Sequence, residues 1–272
     1  MTPRFTAIAR AAAYSPHHET NDAAIIRLTR EAIEARGYPT ELIAEDDLPR
    51  ATIGAPVVFH MCQGPASLPW LRRLERQGRL VINAAQSVAN CYRTAVTPLF
   101  AARGIPYPRT VVVGTDARSL PPGLAGLETL WVKRGDVHAM QAGDVARVAA
   151  PDVLDALGGL RRRGIERAVL QEHVAGDVVK FYAIRGDGFF EFLHAEGPAT
   201  RPFNRVALQR LAERAAGAAG LTIYGGDLVI GDHGAIVIDL NDWPSFAPFR
   251  EQAAVMIAAH IIEEARAHAA VP

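Results

Sequence analysis

Asp227, Asp239 and Asn241 stand on two apolar runs in the stretch GLTIYGGDLVIGDHGAIVIDLNDWPSFAPFR, residues 220–250. The runs flank Gly231-Asp232-His233-Gly234. That pattern specifies a β-hairpin. Residues two apart on a strand share a face, so Asp239 and Asn241 project together, and the hairpin brings Asp227 beside them. Two carboxylates and an amide oxygen at a sheet edge suit a hard cation such as Mg²⁺, which leaves room for water and phosphate oxygens. The competing reading is a strand-end turn whose acids are merely solvated.

Lysine is nearly absent: Lys133 and Lys180 are the only two in the chain. Lys133 ends a short strand, Trp131-Val132-Lys133, in front of a loop containing Gly135, where an ammonium can meet a phosphate. One glycine does not make a phosphate-cradling loop, so this signal is weak alone. Lys180 shares a strand face with Val178 and Tyr182, while Val179 and Phe181 face the other way. Arg93 lies just before a helix, where anions are favoured. A surface ion pair accounts for it equally well. The run Arg161-Arg162-Arg163 reads as a solvated helix end.

These residues must be positioned by a sizeable fold. The chain has 272 residues, 49% of them hydrophobic and 21% charged. Lys+Arg and Asp+Glu both number 29, so no global field recruits nucleic acid or an anionic membrane. Cys62 and Cys91 suggest no disulfide framework. No apolar run is long enough for a signal peptide or a membrane span, and the expected location is the cytoplasm. Strands are expected over residues 5–13, 40–44, 57–61 and 80–82. Helices are expected from about 22, capped by Asn21 or Asp22, and over 69–77. Strand–helix alternation implies a parallel sheet with helices on its faces, and ligands bind beyond the carboxyl ends of such strands. His17, His18, Cys62 and Gln63 fall in those end loops and mark a mouth for a second substrate. Further on, helices are expected over 94–102, 151–163, 206–217 and 249–268. Strands are expected over 110–113, 168–172, 178–184 and 189–193, the last two as a hairpin. There are no internal repeats.

The order of these parts resembles the ATP-grasp superfamily. Residues 81–110 are similar to its entry segment, which ends in a "giP.P.T" turn, and Arg93 takes the place of a basic residue that contacts nucleotide phosphate. Trp131-Val132-Lys133 resembles the strand whose lysine bridges adenine and α-phosphate. Gln171, Glu172, His173 and Val174 resemble the hinge that pairs with the adenine edge. Asp177 and Lys180, in GDVVKFY, match "G.D.R", whose basic residue faces the transferred phosphate or the acceptor. Asp227, Asp239 and Asn241 match the metal ligands of "G.D" and "E.N..P". The likeness spans about residues 80–250.

The resemblance implies an α/β chain: a small Rossmann-like parallel domain over 1–84, then an ATP-grasp domain over 85–272. The latter divides into a central lid part at about 108–172 and a metal-binding part at about 173–272. It implies ATP and Mg²⁺, two ions, with Mn²⁺ able to substitute. It implies an ATP-dependent carboxylate–amine ligase that forms ADP through an acyl phosphate, with Lys180 and Arg93 at the transfer. The partners are then a small carboxylate and an amine, with no nucleic acid and no membrane. The loop after Lys133 lacks the usual glycines, so His138 or Arg134 is expected to help close it over phosphate. Asp239 in place of Glu, and lysine at 180, resemble the inositol phosphate kinases of the same fold. A small-molecule kinase is therefore the alternative. The acceptor, the nucleophile and the oligomeric state are not legible.

Overall fold

A computed structural model of the chain describes residues 3–16, 18–186, 188–195 and 200–270. Three four-stranded sheets organise it. In the first, β1 (Phe5–Ala9), β2 (Thr40–Ala44), β3 (Val57–His60) and β4 (Leu80–Ile82) run parallel in the order β2-β1-β3-β4. Helix α1 (Glu19–Glu34) joins β1 to β2, and α2 (Leu68–Arg76) joins β3 to β4. The central strands are buried along nearly their whole length, as parallel strands covered on both faces must be.

Helix α1 starts earlier than expected, at Glu19, and neither Asn21 nor Asp22 caps it. Asp22 lies inside the helix, where Arg10 and Ser15 claim its carboxylate at 2.8 and 2.6 Å. A tertiary partner thus outcompetes the local capping role. The first strand also stops at Ala9 rather than residue 13.

After β4 come α3 (Ala85–Cys91) and α4 (Arg93–Arg103). The second sheet consists of β5 (Thr110–Gly114), β6 (Thr129–Arg134), β7 (Val145–Ala149) and β8 (Arg167–Glu172), antiparallel in the order β5-β8-β6-β7. Helix α5 (Val153–Arg162) packs Val153, Leu157 and Leu160 against Leu130, Val132 and Leu170 of that sheet. The third sheet consists of β9 (Asp177–Ile184), β10 (Phe190–His194), β11 (Ile223–Gly231) and β12 (Gly234–Asp242), antiparallel in the order β10-β9-β11-β12. Helices α4 and α6 (Arg205–Ala219) bury Phe100, Leu208 and Ala215 against Phe181, Leu228 and Val237.

The terminal helix α7 (Arg250–Ala269) returns to the first sheet. Its Ile257 and Ile261 share a core with Phe5, Ile25 and Phe59. Asn83 ties the first sheet to the third: its side chain donates to the Ile223 carbonyl at 2.8 Å and accepts from the Thr222 and Ile223 amides at 2.9 and 3.1 Å. Among the described residues, no helix is long and apolar enough to cross a membrane.

Candidate active site

The site forms where β9, β11 and β12 align three charged side chains. Asp227 of β11 is the register partner of Lys180 on one side and of Asp239 on the other. The Lys180 ammonium donates to Asp227 Oδ1 at 3.2 Å. Asn241 follows two residues after Asp239, opposite Gly225. The glycines before Asp227 have a steric cause. A Cβ at Gly226 would lie 2.3 Å from the Asp239 carbonyl, and one at Gly225 would lie 2.7 Å from the Phe181 carbonyl and from Pro244. The register skips just past Asp227, leaving Ile238 without a partner on β11. Such a bulge re-aims the neighbouring side chains.

The electrostatics differ along this row. Burial alone would raise the Asp239 carboxyl, but the Arg93 guanidinium 3.9 Å away, with Lys133 and Lys180, holds it below the usual range. Burial pushes the Asp227 carboxyl up, against the pull of Lys180, and the Asp239 charge adds to the rise. Lys180 is half-buried, which works against its charge, yet Asp227 keeps its pKa above the ordinary value. Two neighbouring carboxylates and an amide fit a divalent cation that fills its other positions with outside oxygens. Among the described residues, no group of three His, Cys, Asp or Glu side chains could hold a metal on its own. The donor set therefore depends on the Asn241 amide and on ligands brought by substrate or water.

Lys133 is buried on β6 and reaches across to the hairpin. Its ammonium donates to Gln171 Oε1 at 2.7 Å and to the Ile238 carbonyl, freed by the bulge, at 3.4 Å. Gln171 in turn donates to Thr110 Oγ1 at 3.0 Å. Burial lowers the Lys133 pKa to about 8, with Asp239 opposing.

Arg93 is buried and does not line the cavity. One of its terminal nitrogens donates to the carbonyls of Arg134, Val137 and His138, so it anchors the loop after β6. The same loop is pinned by Asp144, which accepts from Arg134 and from the Met140 and Gln141 amides at 3.0, 2.7 and 3.2 Å. The anchored loop carries His138 to the cavity wall, where its Nε2 is 3.7 Å from Asp242.

A cavity of about 670 Å³ brings together Lys180, Asp227, Asp239, Asn241 and His138. The loops after β1 and β3 close it with Tyr14, Ser15, His18 and Gln63. His17 lies outside the described residues. Cys62 lies in the core under the first sheet, and burial pushes its thiol and that of Cys91 well up, so neither is a ready nucleophile. Gln171, Glu172, His173 and Val174 do not line this cavity. Glu172 pairs with Arg109 at 2.9 Å, and His173 accepts from the Trp131 indole at 3.2 Å. Asp177 is also absent from the lining; its carboxylate holds the Thr200 and Arg201 amides at 2.8 and 2.7 Å. Arg10 and Asp242 line the cavity without having been singled out in the sequence. Arg10 follows an unremarkable strand, and Asp242 is masked by the neighbouring Asn241 motif.

No family model matches the sequence. A probable alpha-L-glutamate ligase of Stenotrophomonas maltophilia is 28% identical over 214 residues, covering 71% of this chain and 71% of that one. Among solved structures, the D-alanine–D-alanine ligase of Bacillus anthracis in complex with ATP superposes with a TM-score of 0.77 at 14% identity, covering 98% of this chain and 99% of that chain. A RimK domain ATP-grasp protein of Sphaerobacter thermophilus reaches 0.72 at 20% identity, covering 95% and 99%. At these identities the likeness establishes the fold.

Proposed function

We propose, from the premise of an ATP-grasp fold, that the chain is an ATP- and Mg²⁺-dependent ligase joining a carboxylate to an amine. The observation that carries this reading is the row Lys180–Asp227–Asp239, with Asn241 beside it, facing a cavity that the loops of the first sheet complete. The relatives' own descriptions, a probable glutamate ligase and a D-alanine–D-alanine ligase, support the same reaction class.

In this reading Asp227, Asp239 and Asn241 would hold Mg²⁺, two ions in all, with Mn²⁺ able to replace it. When bound, the cation neutralises charge on the phosphate oxygens. Lys133 contacts phosphate from behind the row, and His138 does so from the loop. Arg93 positions that loop and Asp239 rather than touching the nucleotide. The strand end at Gln171, Glu172, His173 and Val174 receives the adenine edge. Asp177 acts in this reading by holding the segment at Thr200 and Arg201 beside the site, since its carboxylate accepts from both amides. Residues 1–84 supply the second-substrate loops, 108–172 the lid and 173–272 the metal hairpin. The reaction belongs in the cytoplasm.

The substrate carboxylate oxygen attacks the γ-phosphorus, and the bond to the β-phosphate breaks to give ADP. The amine nitrogen then attacks the acyl carbon, inorganic phosphate leaves and the nitrogen loses a proton. The Lys180 ammonium stabilises the charge that builds on the transferred group. Positioning and electrostatics supply the acceleration, with no covalent enzyme intermediate.

The kinase alternative needs a polyanionic acceptor. Among the described residues, the Arg and Lys side chains lining the cavity are Arg10 and Lys180, both already paired with carboxylates. That lining suits a carboxylate–amine pair better. Incubation with ATP, Mg²⁺ and a panel of amino acids and small carboxylates tests the reading. An amide with ADP and phosphate supports it; a phosphorylated acceptor without amide overturns it.

A further inference from the structure

Four carboxylates line the cavity: Asp22, Asp227, Asp239 and Asp242. Three of them have an Arg or Lys of the chain in reach. Asp22 has Arg10 at 2.8 Å, Asp227 has Lys180 at 3.2 Å and Asp239 has Arg93 at 3.9 Å. Asp242 is different. It is 2% exposed, and among the described residues no Arg or Lys pairs with it. Its Oδ1 accepts one hydrogen bond, from Gln63 Nε2 at 3.4 Å. His138 Nε2 lies 3.7 Å away, within ion-pair reach but too far for a hydrogen bond, and an imidazole is a cation only when protonated.

The nearest guanidinium does not serve this carboxylate. Arg10 spends its donors on Asp22, on the Met61 carbonyl and on the backbone carbonyls of Asp242 and Trp243. A buried carboxylate without a permanent cation is costly, and a cation brought by a ligand offsets that cost. Asp242 also sits out of phase with Asp239 and Asn241 along β12, so its side chain leaves the other face of the strand.

We propose that Asp242 determines specificity by receiving a primary ammonium carried by a substrate, with Gln63 holding the carboxylate in place. This rests on the ligase reading for its purpose, since both the acid and the amine substrate of such a reaction can carry that group. An –NH₃⁺ has three donors and no acceptor, which matches the carboxylate and the amide oxygen of Gln63. Charge-assisted bonds of this kind discriminate strongly against a neutral analogue, because the buried acid is then left unpaired.

The test separates binding from turnover. The protein is saturated with Mg²⁺ and a non-hydrolysable ATP analogue, then titrated with glycinamide and with acetamide, which lacks the ammonium. The wild type is expected to prefer glycinamide by tenfold or more. Asp242→Asn should abolish that preference, Asp242→Glu should keep part of it, and Gln63→Met should weaken it. A wild type without preference overturns the proposal whatever the variants do, and so does a preference that survives in Asp242→Asn. A loss of Mg²⁺–nucleotide affinity above tenfold in folded Asp242→Asn would make the residue a metal ligand and also overturn it.

Turnover with alanine against propionate, each with ATP and one common amine, locates the ammonium. Use of alanine alone, lost as a preference in Asp242→Asn, puts it on the acid substrate. Equal use puts it on the amine. Amide formation without any ammonium preference sinks this proposal and leaves the ligase reading. Ammonium preference without amide from any pair does the reverse.

Discussion

Lys180 and Asp227 are direct cross-strand partners, joined by an ion pair of 3.2 Å on the floor of the cavity. The two ends respond differently to burial: Asp227 keeps the ammonium charged, while the carboxyl itself is pushed above its ordinary value. Lys180 remains 45% exposed at its side chain, so the pair adds little to stability, about 0–1 kcal/mol.

That contrast makes Lys180 a clean test. Lys180→Ala should lower kcat by tenfold to a hundredfold or more, about 1.4 kcal/mol per tenfold, with little change in Tm. Lys180→Arg should retain measurable activity, because a guanidinium can meet the same oxygens with two donors. Steady-state kinetics beside thermal denaturation check both. Unchanged kcat in a folded Lys180→Ala protein would remove the residue from the reaction.

Asp239 is expected to behave more severely. Asp239→Ala removes the carboxylate that Arg93, Lys133 and Lys180 hold ionised. Turnover should drop by orders of magnitude, and the Mg²⁺ concentration for half-maximal rate should rise. The fold should survive, since Arg93 keeps its bonds to the loop carbonyls and the residue lies near a strand end. Turnover measured across a Mg²⁺ series, with circular dichroism as the folding control, decides it.

The hairpin and the shared side of Asp239 and Asn241 were legible because a strand's period of two is written in the sequence. The partnership of Lys180 with Asp227 was not. It depends on register, which the bulge at Ile238 and the close approach of Gly225 and Gly226 fix in three dimensions. Helix α3 escaped notice because its buried side is built from Ala85, Ser87, Val88 and Cys91, too small and polar for an apolar period. The edge strand β7 alternates only between exposed and half-buried positions, so it too carried little signal. Arg93 and Asp177 sit at the expected places in the chain, yet the contacts that define them come from distant segments. Carbonyls of residues 134, 137 and 138 take the first, and amides of 200 and 201 take the second.

Lys133 should report on nucleotide binding through protons. Burial lowers its pKa to about 8, so in the free protein it is largely neutral above that pH. A bound phosphate favours the charged form and raises the pKa, so binding takes up a proton. ATP binding at about pH 9 should therefore show a calorimetric enthalpy that varies with the buffer's ionisation enthalpy. At about pH 7 the lysine is already charged and the effect should fade. Lys133→Met should abolish the uptake and weaken ATP much more than adenosine; equal weakening of the two would assign Lys133 a structural role.

His60 gives a stability prediction whose sign is fixed by its hydrogen bonds. Its Nδ1 accepts from the Cys62 amide at 3.1 Å, so the proton lies on Nε2, which donates to the Asn83 carbonyl at 2.8 Å. The ring is buried, and burial lowers its pKa from 6.5 to about 4, with the Asn83 bond and Asp242 opposing. Near pH 7 the imidazole is neutral in both the folded and the unfolded chain. Below 6.5 the unfolded chain binds a proton that the folded chain refuses until about pH 4. Stability should then fall with acid across that window, by up to about 1.4 kcal/mol per pH unit from this residue. Urea denaturation at pH 7 and pH 5 should show the loss. His60→Phe, although less stable overall because two hydrogen bonds go, should show a smaller difference between the two pH values. An equal difference in the variant would place the acid sensitivity elsewhere, and a ¹⁵N imidazole spectrum in which His60 titrates near pH 6.5 would contradict the lowered pKa.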